Sequence, residues 1–455
     1  MSAAVTAAEK GAKVILLENR PTSGGNSAMA EGLFGAESPV QRRIGVDASQ
    51  DSLFNTAMEY SHWKINPRIV RTFVDKSGDT IKWLEEKGLQ FYLDPLYPNQ
   101  VPLVFHCLKR GGAAIVDVLR QNCKDSGVTL LLETAVKNIL RDNSGNIIGV
   151  LAIRGEENIR ITARSVIIAS GGYGGNKELL KKYCMSYTED MLLRGMLNMG
   201  DGLVMAAEVG AATDGLGILQ LSGPIFRGSS LVASIAREPF TIWINKKGER
   251  FTNEAVTFFS PESSNALERQ PAKISYTLFD EEIRKTLINN GAFIKRSRIL
   301  SFTSGEIESE VKKAVARGML KTSDSWAEIA EYVGANSEVL EATINEYNSF
   351  CEKGYDKIFT KDRGFLMALR NPPYYAIKCC LGFLGTIGGI KINPHMEVLN
   401  QQDNPIPGLY AAGVDTGGWE SYTYCSLLSG STFGFAINSG RIAGENAANY
   451  IRRST

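Results

Sequence analysis

Apolar positions along the chain fall into two recurring patterns: short, nearly unbroken runs that end in glycine, and longer stretches of helical period. Residues 3–10 (AAVTAAEK) predict a helix stopped by Gly11. KVILLE, residues 13–18, is an apolar run closed by an acid, the pattern of a strand buried on both faces of a parallel sheet. Residues 50–122 read mostly as helix, with His106 between two helical stretches as core or substrate lining. Over residues 128–168 the runs become short and β-rich. They predict an antiparallel meander, turned at Asn143-Ser144-Gly145-Asn146, that feeds the buried strand SVIIAS. Residues 224–373 read as a separate module. It opens with a hairpin of FTIWIN and ERF around Lys246-Lys247-Gly248, continues in helices such as SWAEIAEYV, and closes on the stiff Asn371-Pro372-Pro373. Residues 374–455 return to glycine, with the strand GLYAAG (408–413) and a final helix FAINSGRIAGENAANYI.

A helix, a glycine, a strand and then Glu18 form the second half of a dinucleotide-binding βαβ unit, where the acid hydrogen-bonds a ribose. A solvated strand-end carboxylate is the alternative for Glu18. Ser23-Gly24-Gly25-Asn26-Ser27 offers backbone N–H groups to a phosphate. Ser170-Gly171-Gly172 follows the strand SVIIAS, at the carboxyl end where doubly wound sheets bind ligands. Gly200-Asp201-Gly202 opens a helix with Asp201 as its cap. The final helix, entered through Ser429-Gly430-Ser431-Thr432, points free N–H groups and its positive dipole end at a ligand. Three glycine-ended strands, at residues 18–25, 168–175 and 409–418, call for a large bound cofactor.

Composition narrows the partners. Of 455 residues, 44% are hydrophobic and 22% charged, which excludes disorder as the main state. Fifty basic residues against 49 acidic ones give no electrostatic support for nucleic-acid binding. Three histidines leave little for a metal site, and seven cysteines without a C-x-x-C pair write neither a zinc ribbon nor a haem attachment. The scattered cysteines, and the lack of an apolar run of ~18 residues or a signal peptide, predict a cytoplasmic protein with no membrane span.

Taken in order, KGAKVILLE…SGGNSAMAEG, VIIASGGYGGN, MGDGLVMAAEVGAA, NKKGERFTNE, PPYYAIK, GTIGGIKI and PGLYAAGVDTGG resemble the FAD-binding flavoproteins that include soluble fumarate reductases, urocanate reductases and 3-ketosteroid dehydrogenases. The resemblance covers nearly the whole chain. It implies an α/β fold, with a discontinuous Rossmann-like FAD-binding domain (residues 1–223 and 374–455) interrupted by a smaller α+β capping domain (224–373). It implies non-covalent FAD and substrate bound between the domains against the isoalloxazine ring. On this resemblance Glu18 holds the adenosine ribose, and Gly24, Gly25, Asn26, Ser27 and Gly32 line the pyrophosphate and flavin. Val136 meets the adenine, while Ala169 and Gly171 pack on the cofactor chain. Asp201 lies near the flavin, Asp415 bonds the ribityl chain, and Ser431 and Thr432 face the pyrimidine end of the flavin. The family's first strand and G-x-G-x-x-G are absent before Ala3. This implies an initiation codon placed too late, or else a fragment, and a chain that holds FAD weakly as numbered.

The departures bear on substrate. Where the resemblance implies the fumarate reductases' substrate histidine, this chain has Gln220-Leu221-Ser222-Gly223-Pro224. Phe258 and Leu427 stand near the places of two carboxylate-binding arginines, and Ser234 replaces a proton-relaying glutamate, although Arg237, the next relay member, is kept. A dianion is therefore disfavoured, because burying it unpaired is costly. The expectation is an FAD-dependent oxidoreductase that moves a hydride between flavin N5 and a carbon–carbon bond conjugated to a carbonyl. Tyr422 and Tyr424 are the candidate acids, Arg237 is a further proton relay, and Ser222, Phe258 and the Gly430 N–H are candidate substrate contacts. A small unsaturated carbonyl compound is the expected partner, and the electron donor is not written in the chain. The alternatives are a true fumarate reductase and a cofactor-poor, non-catalytic remnant.

Overall fold

The computed structural model describes residues 1–290 and 304–453. It divides into two units. The first is Met1–Tyr187, Gly195–Gln220 and Leu384–Thr455, and the second is Thr188–Arg194 and Leu221–Phe383.

Short ladders build the first unit. Ile15–Leu17 pairs in parallel with Thr129–Leu131. In a separate sheet Val166–Ile168 pairs in parallel with Pro405–Ala411, whose other edge takes Glu397–Leu399. The meander is Thr134–Arg141, Ile147–Arg154 and Glu157–Thr162, antiparallel throughout. Helix Ser2–Glu9 packs on the last helix, Ser431–Arg453, where Gly440 and Gly444 leave no room for a Cβ beside Ser2 and Ala3. The core joins Val5, Leu33, Ile81, Leu84, Leu119, Phe433 and Ile437.

In the second unit Tyr374–Thr386 is flanked antiparallel by Ile274–Phe279 and Leu320–Ser323, and Ile274–Phe279 by Ile242–Ile244. The unit's second boundary falls at Phe383 instead of after residue 373. The physical reason is that the strand following Pro372-Pro373 supplies the ladder for this sheet. Helix Ser337–Lys353 closes on the unit's core, capped by the Asn336 side chain and ended by Gly354 at φ 64°.

The GERF segment is used structurally. Arg250 donates to Glu254 from Nε at 2.8 Å and Nη2 at 2.7 Å, and to Asp356 from Nη1 at 2.7 Å. Lys361 reaches Glu254 at 3.1 Å, and both of these side chains are fully buried. Two cations and two carboxylates thus cancel inside the unit, tying the 250–254 turn to residues 356–361.

Candidate active site

The start of the last helix organises the site. Gly430 has φ 81°, and a Cβ there would lie 2.7 Å from the Leu33 carbonyl carbon and the Phe34 nitrogen. Only glycine lets the chain pass this close to the strand Gly32–Phe34. The Gly430 N–H donates to the Tyr424 hydroxyl oxygen at 2.7 Å, and the Ser431 N–H donates to the same oxygen at 3.2 Å. The N–H expected to meet a substrate carbonyl is therefore directed at Tyr424. Burial pushes the Tyr424 hydroxyl well above its ordinary range, against the pull of these two bonds. Ser431 Oγ and Thr432 Oγ1 are buried beside it and find no hydrogen-bond partner among the described residues.

The other tyrosine is unlike it. Tyr422 is 75% exposed, with the Lys64 ammonium 5.1 Å from its ring centroid.

A second cluster lies beyond the strand Val166–Ile168. Gly171 and Gly172, at φ 93° and 79°, donate their N–H groups to Asp415 Oδ2 at 2.8 Å and Oδ1 at 2.9 Å, and the Ser170 hydroxyl donates to Oδ1 at 2.9 Å. Asp415 is 1% exposed, so its carboxylate shapes the glycine turn. Asn198, which sequence reading passed over, joins the pieces. Its Nδ2 donates to the Gly171 carbonyl at 2.7 Å and its Oδ1 accepts from Arg20 at 3.4 Å. The Arg20 N–H in turn donates to Glu18 Oε1 at 3.0 Å. Asn26 Oδ1 accepts from the Met196 N–H at 2.7 Å, anchoring the short helix Gly25–Met29 that contains Ser27 and follows Gly24. Glu18, Asn26, Gly171 and Asp415 are thus linked through residues 196–198. Ala169 is exposed beside the turn, and Val136 is half-buried opposite Ala152. Asp201 is the first residue of helix Asp201–Glu208, and its cap is Gly200 at φ 85°. The tight φ > 0 turn demands glycine at the cap, which moves the acid one position inward, still at the positive dipole end. Gly32 pairs with Cys107, and a Cβ would lie 2.5 Å from the His106 carbonyl oxygen, so strand pairing alone requires a glycine there.

His106 is a buried pin. Its Nε2 lies 2.7 Å from Ser38 Oγ and its Nδ1 3.0 Å from the Val104 carbonyl, and burial pushes it down to about 4. The remaining expected residues belong to the second unit. Ser222 is buried in Leu219–Ile225, the Phe258 ring packs 5.8 Å from that of Phe365, and Arg237 follows helix Ser230–Ile235, with its charge bearing on the buried Cys379. Among the described residues, no group of His, Cys, Asp and Glu could hold a metal ion, and no helix is long and apolar enough to cross a membrane.

Glycine turns at strand ends, a helix N-terminus with orphaned hydroxyls and a second unit inserted in the chain define a dinucleotide-binding flavoprotein architecture. The chain belongs to the FAD binding domain family, whose sequence model matches residues 1–426. It is 29% identical to the vinyl phenol reductase of Lactiplantibacillus plantarum, over 100% of this chain and 95% of that protein. It is equally 29% identical to a fumarate reductase (cytochrome) of Shewanella frigidimarina, over 100% of this chain and 76% of that one. Among solved structures, the open conformation of a flavocytochrome c3 fumarate reductase superimposes with a TM-score of 0.77 at 28% identity, covering 99% of this chain and 76% of that one. The 3-ketosteroid delta1-dehydrogenase of Sterolibacterium denitrificans shares the fold, with a TM-score of 0.81 at 18% identity over 98% and 97%. FAD fits the residues present: the buried Ser431 and Thr432 hydroxyls have no hydrogen-bond partner among the described residues, and a flavin's polar groups would supply one.

Proposed function

We propose that this chain is an FAD-dependent reductase of carbon–carbon double bonds activated by a carbonyl or an aryl ring, and that Tyr424 delivers the proton. The observation that carries the proposal is the Tyr424 hydroxyl. Its oxygen accepts N–H bonds from Gly430 and Ser431, so its own proton is the one left to give. The phenolate left behind keeps both bonds and the helix dipole. FAD, when bound and reduced by an external donor, would supply the hydride. Glu18, Asn198, Asp415 through the glycine turn, and Ser431 and Thr432 would hold it.

The substrate we favour is bulky and weakly charged. Phe258, whose ring packs on Phe365, and Leu427 stand near the places where the resemblance puts carboxylate-binding arginines, so neither offers a dianion a cation. The likeness to a vinyl phenol reductase makes an aryl-substituted alkene a candidate; the preference over a four-carbon dicarboxylate rests on the apolar Phe258 and Leu427 near the places of two arginines. Seven cysteines without a disulfide support a cytoplasmic setting.

The test is stopped-flow reoxidation of reduced enzyme by a vinyl phenol, a hydrophobic enone and fumarate. Tyr424→Phe is expected to lower turnover by about 10²–10⁴ with little change in KM, and Tyr422→Phe to leave it within a few-fold. Fumarate reacting as fast as the best aryl substrate overturns the substrate class, and full activity in Tyr424→Phe overturns the acid.

A further inference from the structure

The turn that leads into the last helix has little to hold it from within. Ser426–Leu428 is a single 3₁₀ turn, closed by the Leu428 N–H on the Cys425 carbonyl at 3.1 Å, and no described side chain caps its start. Such short turns have poor hydrogen-bond geometry, and their last carbonyls need partners from outside.

Gln100 supplies them. It lies in the connection between Tyr92–Leu93 and Phe105–Cys107, two strands of the sheet that also contains Gly32–Phe34. The residue is buried, at 7% exposure. Its Nε2 donates to the Leu427 carbonyl at 3.1 Å and the Ser426 carbonyl at 3.4 Å, and its Oε1 accepts from the Ser429 hydroxyl at 3.0 Å. Two carbonyls can only accept, so the amide NH₂ must face them. Ser429 Oγ also lies 2.9 Å from the Ser426 carbonyl, which closes the ring of contacts around a fully buried residue.

Ser429 directly precedes Gly430, and peptide planarity divides the two donors at Tyr424. The Ser431 N–H shares a plane with the Gly430 carbonyl, which accepts from the Phe34 N–H at 3.1 Å and the Gly434 N–H at 2.8 Å. The Gly430 N–H shares a plane with Ser429, the residue that Gln100 holds. The remaining contacts fix the tyrosine's own stretch of backbone: the Tyr60 hydroxyl donates to the Tyr424 carbonyl at 3.1 Å, and the Glu420 carboxyl accepts the Cys425 N–H at 3.3 Å.

We infer that Gln100 is a positioning residue for the proposed acid: through Ser429 it aims the Gly430 N–H at the Tyr424 hydroxyl oxygen. This rests on Tyr424 being the acid. The Gly430 bond is the shorter of the two, 2.7 Å against 3.2 Å. It strengthens as the proton leaves and charge gathers on the oxygen, so its alignment lowers the barrier more than it aids binding.

Two measurements test this. Gln100→Met keeps the length and bulk of the side chain and removes both ends of the amide. Residue-resolved hydrogen exchange on the full chain should show the Gly430 amide exchanging about tenfold faster or more, Ser431 changing less, and helix Pro67–Glu86 unchanged. Ser429→Ala, which removes only the hydroxyl, should open Gly430 by a smaller factor. Unchanged exchange at Gly430 in both variants, or an equal loss of protection throughout the unit, overturns the clasp. In the FAD-loaded enzyme, Gln100→Met should lower kcat about 10- to 100-fold with KM within about twofold. In a Tyr424→Phe background that loss should vanish, because the N–H then has no developing phenolate to receive. A loss of the same size in both backgrounds overturns the positioning role. Full activity in Tyr424→Phe marks failure of the acid itself, distinct from failure of the clasp, which the exchange measurement reads alone.

Discussion

Glu254→Ala tests whether the GERF segment is structural. The Glu254 carboxylate accepts from Arg250 at 2.8 and 2.7 Å, from the Trp243 N–H at 3.1 Å, and pairs with Lys361 at 3.1 Å. Removing it leaves Arg250 with Asp356 but leaves Lys361 with only neutral acceptors, the Thr241 carbonyl at 2.8 Å and the Tyr347 hydroxyl at 3.4 Å. One buried positive charge is then uncompensated. Breaking a buried pair in this way costs about 3–5 kcal/mol, or roughly two to three and a half decades in the folding equilibrium of the second unit. Burial lowers the Lys361 ammonium and Glu254 raises it, so without Glu254 the lysine sheds its proton more readily. The loss should therefore shrink as pH rises. Replacing both partners, Glu254→Met with Lys361→Met, should cost less than the single change, because no charge is stranded. Urea denaturation gives the size, and hydrogen exchange across Ile242–Ile244, Ile274–Phe279 and residues 356–361 gives the place. A loss below about 1 kcal/mol for the single variant, or a double variant worse than the single, would refute the reasoning.

Asp415→Ala should release the Ser170–Gly172 turn and weaken FAD binding about 10- to 150-fold, matching the loss of charge-assisted bonds of about 1.5–3 kcal/mol; unchanged affinity by fluorescence titration would confine Asp415 to a structural role. Two buried groups in the first unit should set opposing pH slopes. Glu420, raised to about 7, contributes stability that is present below its unfolded value of 4.5 and lost as pH rises through 7, while His106, lowered to about 4, contributes stability present above 6.5 and lost as pH falls toward 4. Each is about 3 kcal/mol at most, so between roughly pH 4.5 and 6.5 they cancel. Glu420→Gln should unmask a stability that climbs with pH in that window and His106→Gln one that declines, read from urea midpoints; parallel slopes in both variants would sink the account.

Much of the architecture is legible in local pattern. KVILLE, SVIIAS and GLYAAG contain the strands Ile15–Leu17 and Val166–Ile168 and most of Pro405–Ala411, and the meander and the last helix fall where their periods place them. Such features depend on neighbours a few residues away, and apolar spacing records them. Glycines before the last helix likewise announce a chain that must turn and pass close to something. What only the tertiary structure decided is who the partner is. WESYTYC presents two tyrosines with equal claims in sequence, yet one is exposed under Lys64 and the other buried on two N–H groups. Asp415 meets a turn 243 to 245 positions away, and Asn198 joins Arg20 to Gly171 across the chain. The Arg250 cluster spans more than a hundred residues. Burial sets the charge of Glu420, and burial is a sum over segments that meet only when the chain folds. Strand and helix are properties of a stretch of sequence; proton affinity and hydrogen-bond partnership belong to the packed interior that distant stretches make together.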